Sequence, residues 1–527
     1  MSSTFRSAFM SHPSPEPRRQ FLQHAGALAG TLSAPAWLAA CASTASTPSD
    51  PTQLTSAQAI AQIKGGQIKA VDYVAALVAR ARALQSLNAL ITLDEAGALA
   101  AARRIDAARA SGAALGPLAG LVIVVKDNIN TADLPTTGGT PALQGFKPPR
   151  TAPSLQKLID AGVIVLGKAN LHELAFGITS TNFAPFAGAV GNPYDPTRIP
   201  GGSSGGTAAA IAARMVAAGL GTDTGGSTRV PAALCGIVGL RPSVGNGGAE
   251  RRYHDPLAVV PISHTRDTVG PMGRTVADVA LLDAVITGDA SLPAMPLARV
   301  RLGLPRPLWA GLDASLAAVV NAALAKLRAA GATLVEVDMA QLLPLNEKMS
   351  FQIALHEPVA DLPAYLAANN APVKTVAEVA AQVASPDVQG AFGAIKADAF
   401  GPAYPEAMAV HRPQLQALYA STFAQGRLDA LLFPTTPLPA VPMDKAKGSS
   451  TVKLNGGADA DTFATFIRNT DPGSNAGIPG LSVPAGLTSA GLPVGLEIDG
   501  PVGSDRRLLA IGLEIEKVLG SVPAPRI

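Results

Sequence analysis

Two uninterrupted apolar runs, residues 121–125 (LVIVV) and 163–166 (VIVL), restrict this chain's fold more than any other feature. Each is too short for a buried helix or a membrane span, and neither alternates with polar residues, so each fits a strand covered on both faces. Helical periodicity surrounds them. Ile60, Ile63, Val71, Tyr73, Val74 and Leu77 recur at helix-like spacings over 55–84, and residues 95–110 and 154–161 read the same way. Further on, strand patterns at 301–304, 333–337, 430–433 and 494–498 interleave with helical patterns at 276–286, 314–330 and 506–519. Such interleaving predicts an α/β fold with a mostly parallel or mixed sheet between helices. No internal repeat or composition break divides the chain after residue 60, so 55–527 reads as one large domain. Residues 340–420 and the Pro-rich 434–442 read as surface additions to it.

Composition removes several classes of function. With 41 Lys+Arg against 38 Asp+Glu the net charge is +3, which leaves no basic excess to track phosphates, so no nucleic-acid partner is expected. Aromatic residues make up 4% of the chain, too little for base- or sugar-stacking platforms. Two cysteines, Cys41 and Cys235, are too few for a disulfide scaffold or a thiolate metal cluster. At 48% hydrophobic residues the chain can build a sizeable core. A large catalyst or a binding protein of similar size remains.

The N-terminus reads as an address. Arg18-Arg19 precede a weakly apolar, Ala- and Gly-rich run over 25–40 that contains Pro35, a poor membrane span. An arginine pair before a weak apolar run resembles a twin-arginine export signal, so 1–41 is expected to direct export to the periplasm. Leu38-Ala39-Ala40-Cys41 also resembles a lipobox; lipid attachment at Cys41, with a membrane anchor, and plain cleavage both stay open. Residues 42–54, rich in Ser, Thr and Pro, read as a linker.

Three features between residues 126 and 229 carry chemistry. Lys126 follows the first apolar run, so its amine sits at a buried strand's end, where desolvation disfavours the charged form and makes it a base. Pro200-Gly-Gly-Ser203-Ser204-Gly-Gly-Thr207 is a glycine-flanked serine pair ahead of an Ala-rich helical run. In Gly221-Thr-Asp223-Thr-Gly-Gly-Ser227-Thr-Arg229, two glycines before a serine make a tight turn whose N–H groups can converge on one point beside a hydroxyl nucleophile. Singly these are common: lysines after strands snorkel, and glycine–serine loops serve as linkers or phosphate cradles. The loop lacks the Gly-Lys-[Ser/Thr] of a Walker motif, and Arg229 stands where a G-x-S-x-G elbow needs glycine. His172-Glu173 is not a zinc helix, because Phe176 occupies the second histidine position. Asp223 and Arg229 read as structural hydrogen-bonding partners around the turn, and His254 and His264 as structural or substrate-side residues.

Together the three features resemble the amidase signature family. The resemblance extends through Lys126-Asp127-Asn128, Gly167-Lys168-Ala-Asn170, Cys235-Gly-Ile-Val-Gly-Leu-Arg-Pro242, Gly270-Pro271-Met272 and Pro493-Val-Gly-Leu496, covering about 55–520. It implies a large mixed, twisted sheet between helices and a Ser–Ser–Lys triad. In that triad Ser227 is the nucleophile, Lys126 the base, and Ser203, 24 positions before Ser227, the bridging serine after a cis peptide bond. It also implies an oxyanion hole from the backbone N–H groups of Thr224, Gly225, Gly226 and Ser227, with no metal and no cofactor. The expected reaction is hydrolysis of a small-molecule amide through an acyl-enzyme.

Within the family, residues 172–180, 191–194, 199–202, 260–267 and 140–149 are most similar to mandelamide and indoleacetamide hydrolases, which implies a primary amide of the aryl-acetamide type. Phe176, Thr179 and Ser180 are the expected pocket-wall residues. A peptide-amide or general aliphatic amidase would use the same triad. An amidotransferase A-type subunit conflicts with the export signal, and a non-catalytic periplasmic binding protein would have no use for Lys126, Ser203 and Ser227 together. The sequence leaves the oligomeric state open, a homodimer included.

Overall fold

One mixed sheet of eleven strands runs through the protein, with helices on both faces. The computed structural model describes residues 50–527; the expected export address, Cys41 and the first part of the linker lie outside the described residues. At the linker's end, Pro51–Gln53 form one 3-10 turn and Leu54 is buried.

The strands in chain order are β1 (Leu90–Leu93), β2 (Val122–Lys126), β3 (Ile164–Ala169), β4 (Ala218–Asp223), β5 (Val238–Arg241), β6 (Thr268–Gly273), β7 (Arg301–Pro305), β8 (Thr333–Val337) and β9 (Ala430–Pro434). A separate hairpin, β10 (Thr451–Lys453) with β11 (Asp459–Asp461), precedes β12 (Gly480–Leu487) and β13 (Pro493–Asp499). Across the sheet the order is β1-β3-β2-β4-β6-β5-β12-β13-β9-β7-β8. Strands β3, β2 and β4 run parallel, as do β9, β7 and β8, while the centre from β4 to β9 is antiparallel.

The two apolar runs become β2 and β3, paired in parallel from Val122–Ile164 to Lys126–Ala169. Side chains alternate across β2. Val122 and Val124 pack with Ala208–Ala210 and the helices Ala70–Ala83 and Glu95–Ala110, whereas Ile123 and Val125 pack with Leu155, Leu158, Leu281 and Leu282 on the other face. Lys126 therefore shares the face of Val122 and Val124, towards the helix Gly205–Ala212.

The helical pattern over 55–84 is two helices, Ser56–Lys64 and Ala70–Ala83. Thr55 and Gln58 form a capping box on the first, and Gly65-Gly66 end it, Gly66 taking the left-handed φ of +76°. Seven strands escape the sequence pattern: β1, the hairpin strands β10 and β11, and the central strands β4, β5, β6 and β12. All four central strands carry glycine, and β6 and β12 also carry proline, which depresses strand propensity. Close packing accounts for the glycines. A side chain at Gly239 would strike the carbonyl of Thr228, and one at Gly270 the carbonyl of Leu240. The stretch read as a surface addition folds into helices, among them Ser350–Ala354, Pro358–Ala368 and Pro386–Lys396, and contributes to a cavity wall.

Candidate active site

Lys126, the last residue of β2, is fully buried. Its Nζ lies 2.8 Å from Ser203 Oγ and 2.7 Å from Thr222 Oγ1, with the Thr222 carbonyl at 3.5 Å. Asn128 Nδ2 donates to Thr222 Oγ1 at 3.0 Å, which fixes that hydroxyl. No carboxylate among the described residues pairs with the amine. Burial pulls the Lys126 ammonium down to about 7, against a smaller upward pull from Asp223 and Asp267.

The Gly202–Ser203 peptide bond is cis. The Ser203 carbonyl accepts from the His172 N–H at 3.1 Å, and Ser204 Oγ donates to the Thr222 carbonyl at 3.2 Å. A backbone bond of 3.2 Å from Ser204 N–H to the Ser227 carbonyl ties this loop to the turn after β4. Gly206 is where the two layers meet: a Cβ there would collide with the carbonyls of Asn170 and Ala89.

Ser227 follows Thr224-Gly225-Gly226 directly beyond β4 and opens onto a cavity. Gly226 has φ +142°, and a side chain there would collide with Thr470 Oγ1, so only glycine fits the turn. Asp223 holds the turn from below. Its carboxylate accepts from Gly226 N–H at 3.0 Å, Thr228 N–H at 3.1 Å and Thr228 Oγ1 at 3.0 Å, and pairs with Arg229 at 3.0 Å and Arg241 at 3.1 Å. All three ionic groups are buried, and the two guanidiniums outweigh the burial penalty, holding the Asp223 carboxyl far below the carboxylate range. Asp223 and Arg229 thus meet in the expected structural role. Gly226 departs from expectation: its N–H, placed among the oxyanion donors by sequence, is taken by Asp223, which leaves Thr224, Gly225 and Ser227 as candidate donors. The Ser227 hydroxyl hydrogen-bonds to none of the described residues, Ser203 included; catalytic hydrogen bonds are often loose before substrate is bound.

The cavity beside Ser227 has a volume of about 610 Å³, in the range of small-molecule sites. Thr224, Gly225, Ser227, Arg266 and Asp471 form its buried end. The rest of the wall is chiefly apolar, including Phe176, Ile178, Ile262, Phe351, Phe400, Phe463 and Ile467. Arg266 is locked, donating to the Thr224 carbonyl at 3.1 Å and the Ser350 carbonyl at 3.0 Å and pairing with Asp471.

Of the three expected wall residues, Phe176 lines this cavity. Thr179 and Ser180 lie behind the wall instead: Thr179 Oγ1 contacts His172 Nδ1 at 3.4 Å, and Ser180 Oγ accepts from Gly205 N–H at 3.2 Å. Ser180 thereby holds the loop that carries Ser203, and Thr179 Oγ1 also accepts from Thr181 N–H at 3.2 Å. His264 lines a different cavity and bonds Asp361 at 3.0 Å. Sequence reasoning missed Thr222 and Arg266, although they stand inside the Gly221-Thr-Asp223 and 260–267 stretches, and it missed Phe351, Asp387, Phe400 and Phe463, which no local motif marks.

The Amidase family model matches residues 72–509. The chain is 43% identical over 469 residues to the indoleacetamide hydrolase of Agrobacterium vitis, covering 88% of this chain and 96% of that one. It is 41% identical over 491 residues to the mandelamide hydrolase of Pseudomonas putida, covering 90% of this chain and 93% of that one. The solved peptide amidase from Stenotrophomonas maltophilia superposes with a TM-score of 0.75 at 30% identity, over 90% of this chain and 98% of that one. A family match over most of the chain, with relatives this similar along nearly their whole length, leads to one conclusion: this chain belongs to the Amidase family.

Proposed function

We propose that this protein hydrolyses a small primary amide of the aryl-acetamide type to its carboxylic acid and ammonia, with Ser227, Ser203 and Lys126 as nucleophile, bridge and base. The observation that carries the reading is a buried lysine without a carboxylate partner, its ammonium drawn down to about 7, 2.8 Å from a serine hydroxyl. A neutral amine has two hydrogens and one lone pair. With the hydrogens directed to Thr222 Oγ1 and the Thr222 carbonyl, the lone pair is left for the Ser203 hydroxyl.

In the forward step Lys126 accepts the Ser203 proton, Ser203 accepts that of Ser227, and Ser227 Oγ bonds to the amide carbon. The N–H groups of Thr224, Gly225 and Ser227 are the donors available to the oxyanion. As the tetrahedral intermediate collapses, the C–N bond breaks and the relay returns its proton to nitrogen, releasing ammonia. Water then attacks the acyl-enzyme with Lys126 and Ser203 again taking its proton, which frees the acid and restores Ser227. The apolar cavity suits an aryl group better than a peptide chain, whose backbone amides would lose hydrogen bonds there.

Ammonia release from phenylacetamide, mandelamide and indole-3-acetamide tests the activity, and hydroxylamine trapping of the acyl group as its hydroxamate tests the covalent step. Full activity in Ser227→Ala contradicts the assignment of nucleophile. We propose further that residues 1–41 act as an export address; sequencing the N-terminus of cell-envelope protein tests it, and an intact Met1 there contradicts it.

A further inference from the structure

The cavity is graded from a buried end to an open mouth. Ser227 is 7% exposed at the buried end, whereas Phe351 is 41% exposed at the mouth, so an amide reaching Ser227 extends its remaining bulk towards the mouth. One side of that outer part is a single helical face. In the helix Pro386–Lys396, Asp387, Gly390, Ala391 and Ala394 follow i, i+3, i+4, i+7 spacing and line the cavity, while Val388, Phe392 and Ile395 turn into the core. A Cβ added at Gly390 would meet nothing within 4 Å. The same cavity is lined by three phenylalanines from separate segments: Phe351 lies 6.4 Å from Phe400 and 6.2 Å from Phe463, with interplanar angles of 31° and 32°. A small-residue face and tilted rings around one cavity suit a flat, bulky group.

Three carboxylates reach this cavity. Asp471 is saturated by Arg266, Asn346 and Asn475, and Asp461 caps the helix Thr462–Ile467 on the exposed rim. Asp387 differs. Its Oδ1 accepts from Val388 N–H at 3.0 Å, and its Oδ2 lies 2.9 Å from Nε2 of the fully buried His172. His172 is itself held, its ring flat against Gly177 and its N–H on the Ser203 carbonyl. Asp387 is thus an anchored acceptor whose side chain stays 49% exposed. Burial raises the Asp387 carboxyl, but His172 pulls it down further, to a net value below the usual one, so it is ionised at neutral pH.

We propose that Asp387 is a specificity-determining residue, accepting a hydrogen bond from the ring N–H of a bicyclic arylacetamide whose ring lies along Gly390, Ala391 and Ala394. The inference rests on the amidase reading above. A ring of the same shape without a donor desolvates the exposed side of this carboxylate and gives it no hydrogen bond in return, and hydrogen bonds to charged groups are the costly ones to lose.

The test compares kcat/KM for indole-3-acetamide with that for benzofuran-3-acetamide, which has the same shape and a ring oxygen in place of N–H. Wild type is expected to prefer the indole by about 10- to 100-fold. In Asp387→Ala that preference is expected to collapse to within about threefold, a change of ratio that general damage to the fold would not produce. In Gly390→Leu, which fills the open space, indole-3-acetamide is expected to lose about tenfold or more relative to phenylacetamide. Equal efficiency on indole and benzofuran by wild type overturns the inference, as does a preference that survives Asp387→Ala. If Asp387→Ala fails to fold, the wild-type ratio and Gly390→Leu decide it. Absence of ammonia from all three amides would instead strike the amidase reading itself, so the two failures are distinguishable.

Discussion

Lys126 and Lys168 lie on neighbouring strands, both fully buried, and their surroundings give them opposite properties. In the parallel pairing Lys168 stands beside Val125 and Lys126 beside Ala169, so the two amines leave opposite faces of the sheet. Lys168 enters a cage. Its Nζ donates to the carbonyls of Ile129 and Pro135 at 2.9 Å each, to Thr136 Oγ1 at 2.8 Å and to Thr131 Oγ1 at 3.1 Å, and pairs with Asp127 at 3.2 Å. Asp127 in turn accepts from Thr137 N–H at 3.1 Å. Burial lowers the Lys168 ammonium and raises the Asp127 carboxyl, each partner pulling the other back, and the acceptors around Nζ favour its charged form. Lys126 has two hydroxyls, one distant carbonyl and no countercharge in contact. A buried lysine is thus a structural ion or a poised base according to whether the fold supplies an anion.

Variants break this comparison in order of effect. Ser227→Ala and Lys126→Met should each lower kcat/KM by about 10³-fold or more, read as ammonia release, because members of a proton relay fail as a unit. Lys126→Met should nevertheless fold at least as well as wild type. The folded-state value of Lys126 lies below its ordinary 10.5, so burying it costs stability in full below about 7, and the cost fades as pH rises towards 10.5. The stability gained in Lys126→Met, followed by denaturant unfolding, should therefore be larger at pH 6 than at pH 9.

Lys168→Met should do the reverse. It leaves Asp127 buried and unpaired and should cost about 3–5 kcal/mol. Adding Asp127→Asn removes the orphaned charge and should recover part of that loss; an additive double variant would mean that the pair does not interact. Thr222→Val sharpens the contrast with the smallest effect. It removes the 2.7 Å contact that orients the Lys126 amine and should lower kcat about tenfold while leaving KM nearly unchanged.

Sequence pattern exposed the scaffold unevenly, for a physical reason. β2 and β3 are legible because both faces are covered and the apolar runs 121–125 and 163–166 contain no glycine; the close approach of β1 to β3 falls just beyond the second run, at Gly167. The central strands β4, β5 and β6 carry glycines where other backbone approaches closely, and β12 carries Gly480 where the side chains of Glu497 and Asp499 do, so close packing erases the usual strand signature. Lys126, Ser203 and Ser227 stand in motif contexts that a single sequence displays. The Gly226 N–H looked available because its competitor, the Asp223 carboxylate, depends on the turn's three-dimensional path. The outer cavity was hidden because Phe351, Asp387, Phe400 and Phe463 come from segments far apart in the chain and near one another only after folding.

The central claim, that Lys126 and not Lys168 is the neutral buried amine, is tested most directly by the pH dependence of kcat/KM for phenylacetamide between pH 5 and 9, in wild type and in Asp127→Asn/Lys168→Met. Both should show one acidic ionisation near 7, with the rate falling about tenfold per pH unit below it, because Lys126 is drawn down to about 7 and, in the proposed relay, must be unprotonated to accept the Ser203 proton. A flat profile across that range, or an ionisation present in wild type and lost in the double variant, would contradict it.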